Sequence, residues 1–257
     1  MPTRFPSELG KVEIIRSVGG GDINEAYECR LSDGTHAFVK LQSRTLPGLF
    51  AAEAHGLAWL HTRTPRVISR GEHHLALEWL DLESRVDPDK LGRLLAEMHR
   101  DAPPVFGLDR ANYIATILQP AATASTWPEF YVEHRLRPLI GDGVRALLDR
   151  PHRFGPPEPP ARLHGDLWTG NVASVAGEPV VYDPAVYGGH REIDLAMYDL
   201  FGDVTRVAAA YHEAYPLADG WRDRIALYQL YPLAVHAKLF GGGYTSRVRE
   251  TLATLLA

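Results

Sequence analysis

The segment His164-Gly165-Asp166-Leu167-Trp168-Thr169-Gly170-Asn171, followed by Val180-Val181-Tyr182-Asp183, constrains this chain more than any other. An Asp, an Asn five residues later and a second Asp closing an apolar strand form the polar set that phosphoryl transfer requires. One group must take the proton from an attacking hydroxyl, and two oxygen ligands must hold Mg²⁺ on nucleotide phosphates. Residues 172–175 and 179–182 are short β-type segments around Ala176-Gly177-Glu178, which reads as a three-residue hairpin loop. Folding about Gly177 puts Asn171 opposite Asp183, since both lie six residues from it. Opposed residues have Cα atoms roughly 4.5–5.5 Å apart, within reach of one metal ion. The plain alternative is a polar loop beside an ordinary hairpin.

Upstream, residues 12–18, 26–31 and 36–41 alternate β-type stretches with turns, and Ser32-Asp33-Gly34-Thr35 is a hairpin link. Residues 67–69 and 75–79 add two strands. Between them, residues 48–61 read as a helix with Phe50, Glu53, Leu57 and Leu60 on one stripe. Glu53 thus sits among core-facing residues, where an unpaired carboxylate is costly, and calls for a cationic partner. Lys40, ending Ala37-Phe38-Val39-Lys40, is that partner if it reaches nucleotide phosphates from its strand. Without Glu53 and the glycine loop before it, it would read as an ordinary strand-end lysine.

That loop is Gly19-Gly20-Gly21-Asp22-Ile23-Asn24. Glycine adds no side chain and accepts positive φ, so the backbone can approach a phosphate closely. The spacing matches neither G-x-G-x-x-G nor a Walker A loop, so its place in the order of motifs, not its composition, is informative. Residues 81–84 read as a hinge. Asp87-Pro88 then starts a helix whose Leu91, Leu94, Leu95 and Met98 follow amphipathic spacing. Five prolines in residues 150–160 make a rigid approach to His164, and from residue 193 the pattern is mostly helical. The expected fold is α+β and two-lobed. Residues 1–80 form a small antiparallel-sheet lobe with one helix, and residues 81–257 a larger, mostly helical lobe.

Composition narrows the partners. A net charge of −5 and a pI near 6.2 lack the basic footprint of nucleic-acid binding. Cys29 is the only cysteine, which excludes an intramolecular disulfide and a Cys-rich zinc site. No apolar signal region or run of about 18 apolar residues occurs, so the expectation is a soluble, cytoplasmic protein with no membrane association.

Within the central block, His164 reads as a structural residue holding the Gly-Asp turn rather than as a base. Asp194 starts a helix and can accept N–H groups from that helix or from the His164 loop. Trp168, two residues after Asp166, can wall the acceptor or pack in the core. His73-His74 and His212-Glu213 read as surface features, and Gly241-Gly242-Gly243 as a loop ending a helix. No G-x-S-x-G elbow or H-E-x-x-H helix supports a hydrolase.

These residues resemble the fructosamine kinase (ketosamine 3-kinase) family, within the aminoglycoside phosphotransferase and choline kinase-like group. The narrower likeness rests on the His164–Asn171 octapeptide joined to Tyr182-Asp-Pro-Ala-Val-Tyr-Gly-Gly-His-Arg-Glu-Ile-Asp-Leu-Ala-Met197. Asn112-Tyr-Ile114 and Leu239-Phe-Gly-Gly-Gly-Tyr244 extend it towards both ends. The resemblance implies a protein-kinase-like fold, ATP with Mg²⁺, and phosphorylation of a sugar hydroxyl, expected at O3, on a ketosamine or glycated amine or protein. It implies Asp166 as base, Asn171 and Asp183 as metal ligands, and Gly19, Gly20, Gly21, Lys40 and Glu53 at the nucleotide phosphates. Residues 77–80, with Glu78 and Leu80, would form the adenine-contacting hinge; Trp168, Tyr187 and His190 are the candidate acceptor contacts. The chain departs from the family pattern in being short, in Gly188 where a second aromatic is common, and in Lys238 where Asn is usual. The last two bear on the acceptor. A related aminoglycoside or choline-type kinase and a nucleotide-binding pseudokinase remain the competing readings, but the pseudokinase reading requires loss of a base, ligand or lysine that is present.

Overall fold

The computed structural model describes residues 5–19, 24–42 and 46–257. Strands β1 (Glu13–Ser17), β2 (Asn24–Arg30), β3 (His36–Gln42), β4 (Val67–Arg70) and β5 (His74–Glu78) form one antiparallel sheet in the order β1-β2-β3-β5-β4. Helix α1 (Leu49–Trp59) lies between β3 and β4 in sequence. The two-residue pleat sorts the side chains. Ala37, Val39 and Leu41 of β3 join Cys29 and Ala76 in one buried cluster, while Phe38, Leu75 and Leu77 pack with Phe50 and Leu57 of α1 in another. Lys40 shares the parity of Phe38, so it faces α1 and Glu53. His74, expected at the surface, is 1% exposed because β5 is covered on both faces; its imidazole pairs with the Ser69 hydroxyl at 3.0 Å.

Helix α2 (Pro88–Arg100) starts as its sequence predicts. The Asp87 carboxylate accepts the N–H groups of Asp89 and Lys90, and Leu91, Leu95 and Met98 are buried. Four short strands follow, β6 (Phe106–Leu108), β7 (Asn112–Ile114), β8 (Ile117–Gln119) and β9 (Ala122–Ala124). Helix α3 (Trp127–Phe130) then continues through a π-helical stretch (Tyr131–Leu136) into α4 (Arg137–Ile140). Beyond these come β10 (Ala161–Leu163), β11 (Val172–Val175), β12 (Glu178–Val181) and β13 (Tyr187–Gly189). Four helices close the chain: α5 (Glu192–Phe201), α6 (Thr205–Ala214), α7 (Trp221–Phe240) and α8 (Gly243–Leu256). A small sheet of order β10-β13-β6-β9 and the hairpins β7–β8 and β11–β12 sit among the helices. The largest buried cluster runs through this part of the molecule.

The β11–β12 hairpin differs from the sequence expectation. Val172 pairs with Val181 and Val175 with Glu178, leaving a two-residue turn of Ala176 and Gly177, both at positive φ (52° and 73°). This is the turn geometry whose twist matches antiparallel strands. The pivot therefore falls between Ala176 and Gly177, and Asn171 faces Tyr182, whose N–H it accepts at 3.1 Å. Asp183 stands one residue beyond that pair. The hairpin is braced from several sides: Glu83 and Ser174 exchange backbone hydrogen bonds of 2.8 and 3.0 Å, Val181 N–H donates to Arg63 O at 3.1 Å, and Lys90 Nζ donates to Gly177 O at 2.9 Å.

Gly188, expected to influence the acceptor, is instead a backbone requirement. It pairs with Gly107 across β13 and β6, and a Cβ would lie 2.3 Å from the Val105 carbonyl oxygen.

Candidate active site

Lys40, Glu53, Asp166, Asn171 and Asp183 converge on one cavity of about 420 Å³, together with Trp168. They come from five places in the fold: β3, α1, the turn after β10, the start of β11 and the residue-pair beyond β12. Lys40 Nζ donates to Glu53 Oε1 at 2.8 Å and also to Asp183 Oδ1. Asp183 takes φ +56°, a left-handed backbone that Asp tolerates better than most residues. This turns its half-exposed carboxylate from the hairpin towards Lys40.

The Asp166 turn is fixed from behind. Asp194, fully buried at the start of α5, accepts the His164 and Gly165 N–H groups at 2.7 and 2.9 Å. His99 of α2 pairs with the same carboxylate at 3.1 Å and with the Tyr211 hydroxyl at 3.0 Å. His164 Nε2 donates to Tyr182 O at 3.0 Å, leaving Nδ1 to accept the Asp166 N–H at 3.4 Å. That neutral tautomer has both ring nitrogens engaged, and burial lowers the imidazole pKa, which suits a brace and not a base. Gly165, at φ +80°, allows close contact with Ala185, where a Cβ would meet the carbonyl oxygen at 2.2 Å.

Asn171 donates its side-chain amide to Asp166 O at 2.9 Å and to Asp166 Oδ2 at 3.2 Å. Burial, and then the charge of Asp183, push the Asp166 carboxyl up to about 7, against the lowering effect of that amide. Burial works against the Lys40 charge, but Asp183 and Glu53 outweigh it and raise the ammonium pKa. Burial likewise raises Glu53, to about 7, with Lys40 opposing it. For Asp183 the same lysine overcomes burial and holds the carboxyl low.

With its N–H groups committed to Asp166, Asn171 has its side-chain carbonyl oxygen left to offer a cation. Beside it Asp183 offers a carboxylate. Among the described residues no group of three His, Cys, Asp or Glu side chains could cage a metal. Two hard oxygen donors at the edge of this cavity suit Mg²⁺, which usually keeps waters and substrate phosphates as its other ligands.

The remaining expected residues are distributed unevenly. Trp168, 39% exposed, lines the cavity with its ring over Gly170 and edge-on to Phe201 at 6.0 Å. Gly20 and Gly21 lie outside the described residues; Gly19 has open space around it, and Asn24, ending the same loop, lines the cavity. Glu78 and Leu80 do not line it, and the Glu78 carboxylate accepts the Arg66 N–H at 2.8 Å.

Tyr187 and His190 are corrections. Both are buried in the core, off the cavity, because β13 runs between other elements. The Arg135 guanidinium covers the Tyr187 ring at 4.2 Å, and His190 stacks on Tyr228 at 5.1 Å. Lys238, expected to bear on the acceptor, is exposed and also absent from the lining. The lining residues missed in sequence are Leu49 of α1, Asn112 to Thr116 on the β7–β8 hairpin, Pro184 and Ala185 after Asp183, and Leu239 and Phe240 at the end of α7. Asn112 to Ile114, Pro184, Ala185, Leu239 and Phe240 fall within the family-like motif pieces; Leu49, Ala115 and Thr116 carry no such signal.

The fructosamine kinase family profile matches residues 5–257. The chain belongs to the fructosamine kinase family. A Synechocystis protein named "Probable ketoamine kinase" is 36% identical, covering 96% of this chain and 91% of that one. The chloroplastic protein-ribulosamine 3-kinase of Oryza sativa subsp. japonica is 35% identical over 92% of this chain and 77% of its own length. The crystal structure of a Thermobifida fusca protein assigned as a fructosamine-3-kinase is 40% identical, with a TM-score of 0.86 over 97% of this chain and 96% of that one. An aminoglycoside phosphotransferase variant crystallised with ADP and hygromycin B shares the fold, with a TM-score of 0.62 at 15% identity over 96% of each chain. The fold is thus the expected α+β, protein-kinase-like one, and this family member is an enzyme, a phosphotransferase. No described helix is long and apolar enough to cross a membrane.

Proposed function

We propose that this enzyme transfers the γ-phosphoryl group of ATP, with Mg²⁺, to a sugar hydroxyl of a ketosamine, a fructosamine or ribulosamine, at O3. The observation that carries the chemistry is the meeting of Asp166 with the Lys40–Asp183 pair in one cavity. Asp166 takes the proton of the acceptor hydroxyl as its oxygen attacks phosphorus, and ADP leaves. A general base must lie within hydrogen-bond reach of the proton it takes, and Asp166 lines the cavity where the acceptor hydroxyl would sit. Lys40, steadied by Glu53, binds nucleotide phosphate, and the glycine loop, Glu78 and Leu80 complete the nucleotide side. Asn171 and Asp183 hold Mg²⁺, which supplies charge stabilisation for the phosphates. Trp168 walls the acceptor.

In this reading residues 1–80 are the nucleotide-side lobe and residues 81–257 the catalytic and acceptor lobe. The names of the ketoamine and ribulosamine kinase relatives support the acceptor class, and a cytoplasmic setting suits a chain with one buried cysteine.

The test is ATP turnover with fructosyl-lysine and ribulosyl-lysine, with the phosphate located by NMR. A phosphate on C3 of either sugar is the expected product. Phosphorylation of an aminoglycoside or choline, with neither ketosamine used, would overturn the acceptor and leave the chemistry. ATP binding without ADP release on any acceptor would instead support a pseudokinase.

A further inference from the structure

A second cavity, of about 550 Å³, opens along the outer side of α1, away from Lys40. Ala51, Ala54, His55 and Ala58 lie on one helical stripe and line it, while Glu53 projects from the other side of the same helix. The alanines leave room that larger side chains on this stripe would fill. Opposite them stand Arg66 just ahead of β4, Arg70 at its end and Arg110 of the β6–β7 connection, and no Asp or Glu lines the space.

The cations are weakly matched. Arg66 is 3.8 Å from Glu78, Arg110 reaches only its neighbour Asp109 at 3.4 Å, and Arg70 makes no ion pair among the described residues. His55 adds a buried Nε2 with no hydrogen-bond partner. Burial first, and then the Arg110 charge, depress its imidazole pKa, with the Asp109 carboxylate opposing them.

We propose that this cavity is a second ligand site, which binds a small organic phosphate monoester. Arg70 has no ion-pair partner among the described residues, and Arg66 and Arg110 keep only the long contacts to Glu78 and Asp109, so the three guanidinium groups together match a dianion, and guanidinium forks fit phosphate oxygens bidentately. His55 Nε2 supplies a further donor, and the alanine stripe receives the apolar part of the ester. The site is separate from the catalytic cavity and shares no lining residue with it.

The probe is phenyl phosphate, titrated by calorimetry into the full chain and followed by NMR of the His55 imidazole. Saturable binding with a shift of the His55 ring signals is expected. Arg70→Ala with Arg110→Ala should weaken it about tenfold or more. Ala58→Phe, which fills the cavity from a rim position without changing charge, should weaken it to a similar degree. Thermal melts would establish that both variants fold. The Lys40→Ala chain, altered only in the catalytic cavity, should bind within about twofold of wild type. Absence of saturable binding, or binding lost in Lys40→Ala and kept in the arginine variant, would overturn the site. Inorganic phosphate binding as tightly as phenyl phosphate would overturn the ester assignment.

Discussion

Lys40 and Asp183, 143 positions apart in sequence, meet as an ion pair in the candidate active-site cavity, and Asp183 reaches it through a left-handed backbone. The strained turn and the carboxylate's direction are one feature. Asp183→Ala and Asp183→Gly both remove the carboxylate, but only glycine accepts φ +56° freely. We expect the glycine variant to be the more stable by about 1 kcal/mol in denaturant unfolding. Both should lose Mg²⁺-dependent ATP affinity while keeping affinity for adenosine. Equal losses for the two ligands would place Asp183 away from the metal.

Asp166→Asn keeps the shape of the turn and removes the proposed proton acceptor. Turnover should fall by about 10²–10⁴-fold, with the melting temperature and nucleotide affinity close to wild type. Near-wild-type turnover, with contaminating kinase excluded, would show that the base lies elsewhere.

Lys40 is shared between Glu53 and Asp183, so its partners are not independent. Adding Lys40→Ala to Glu53→Ala should cost little beyond the first change. The coupling in a double-mutant cycle on kcat/KM should amount to about 0.5–3 kcal/mol. Strict additivity would mean that the contact has no part in activity.

Asp194→Ala would strip acceptors from two buried N–H groups, those of His164 and Gly165, and leave His99 without its carboxylate. Each unsatisfied buried group costs about 1–3 kcal/mol. A loss of about 2–6 kcal/mol in unfolding free energy is expected, with activity falling because the Asp166 turn loosens. A melting temperature unchanged from wild type would contradict this bracing role.

Cys29 is fully buried in the sheet, and burial pushes its thiol up to about 11. Thiolate is the reactive form, so iodoacetamide at pH 7.5 should leave the native chain unmodified and label it in denaturant. Rapid labelling of the native protein would mean that this side of the sheet opens readily.

Much of this architecture was legible in sequence because local chemistry specifies it. Alternation on β3 places Lys40 on the α1 side, and the stripe of Phe50, Leu57 and Leu60 carries Glu53 inward. The Asp87-Pro88 cap fixes the start of α2. The hairpin register was not legible, because Ala176 takes a positive φ that nothing in an alanine announces. Tyr187 and His190 looked like acceptor contacts because they are polar-tipped and sit in the motif. Arg135 and Tyr228, which bury them, are remote in sequence. His99 was readable in principle, since it falls on the same buried stripe as Leu91, Leu95 and Met98. A histidine among such neighbours needs a partner, but only the fold reveals that Asp194 is that partner.

The bracing of the β11–β12 hairpin by Glu83 and Lys90 has a mechanical consequence. The hairpin is stitched to the chain just before α2 and to α2 itself, so Asn171 and Asp183 travel with the helices. Lys40 travels with the five-stranded sheet. The hairpin is also tied to the segment between α1 and β4, where Arg63 O accepts the Val181 N–H at 3.1 Å, so rocking of the sheet about residues 79–82 would have to move or break that link as well. Such rocking would change the Lys40–Asp183 separation while leaving the Asp166–Asn171 contact intact. One ion pair thus acts as a gauge of cleft opening, and the neighbouring hydrogen bond is its fixed reference.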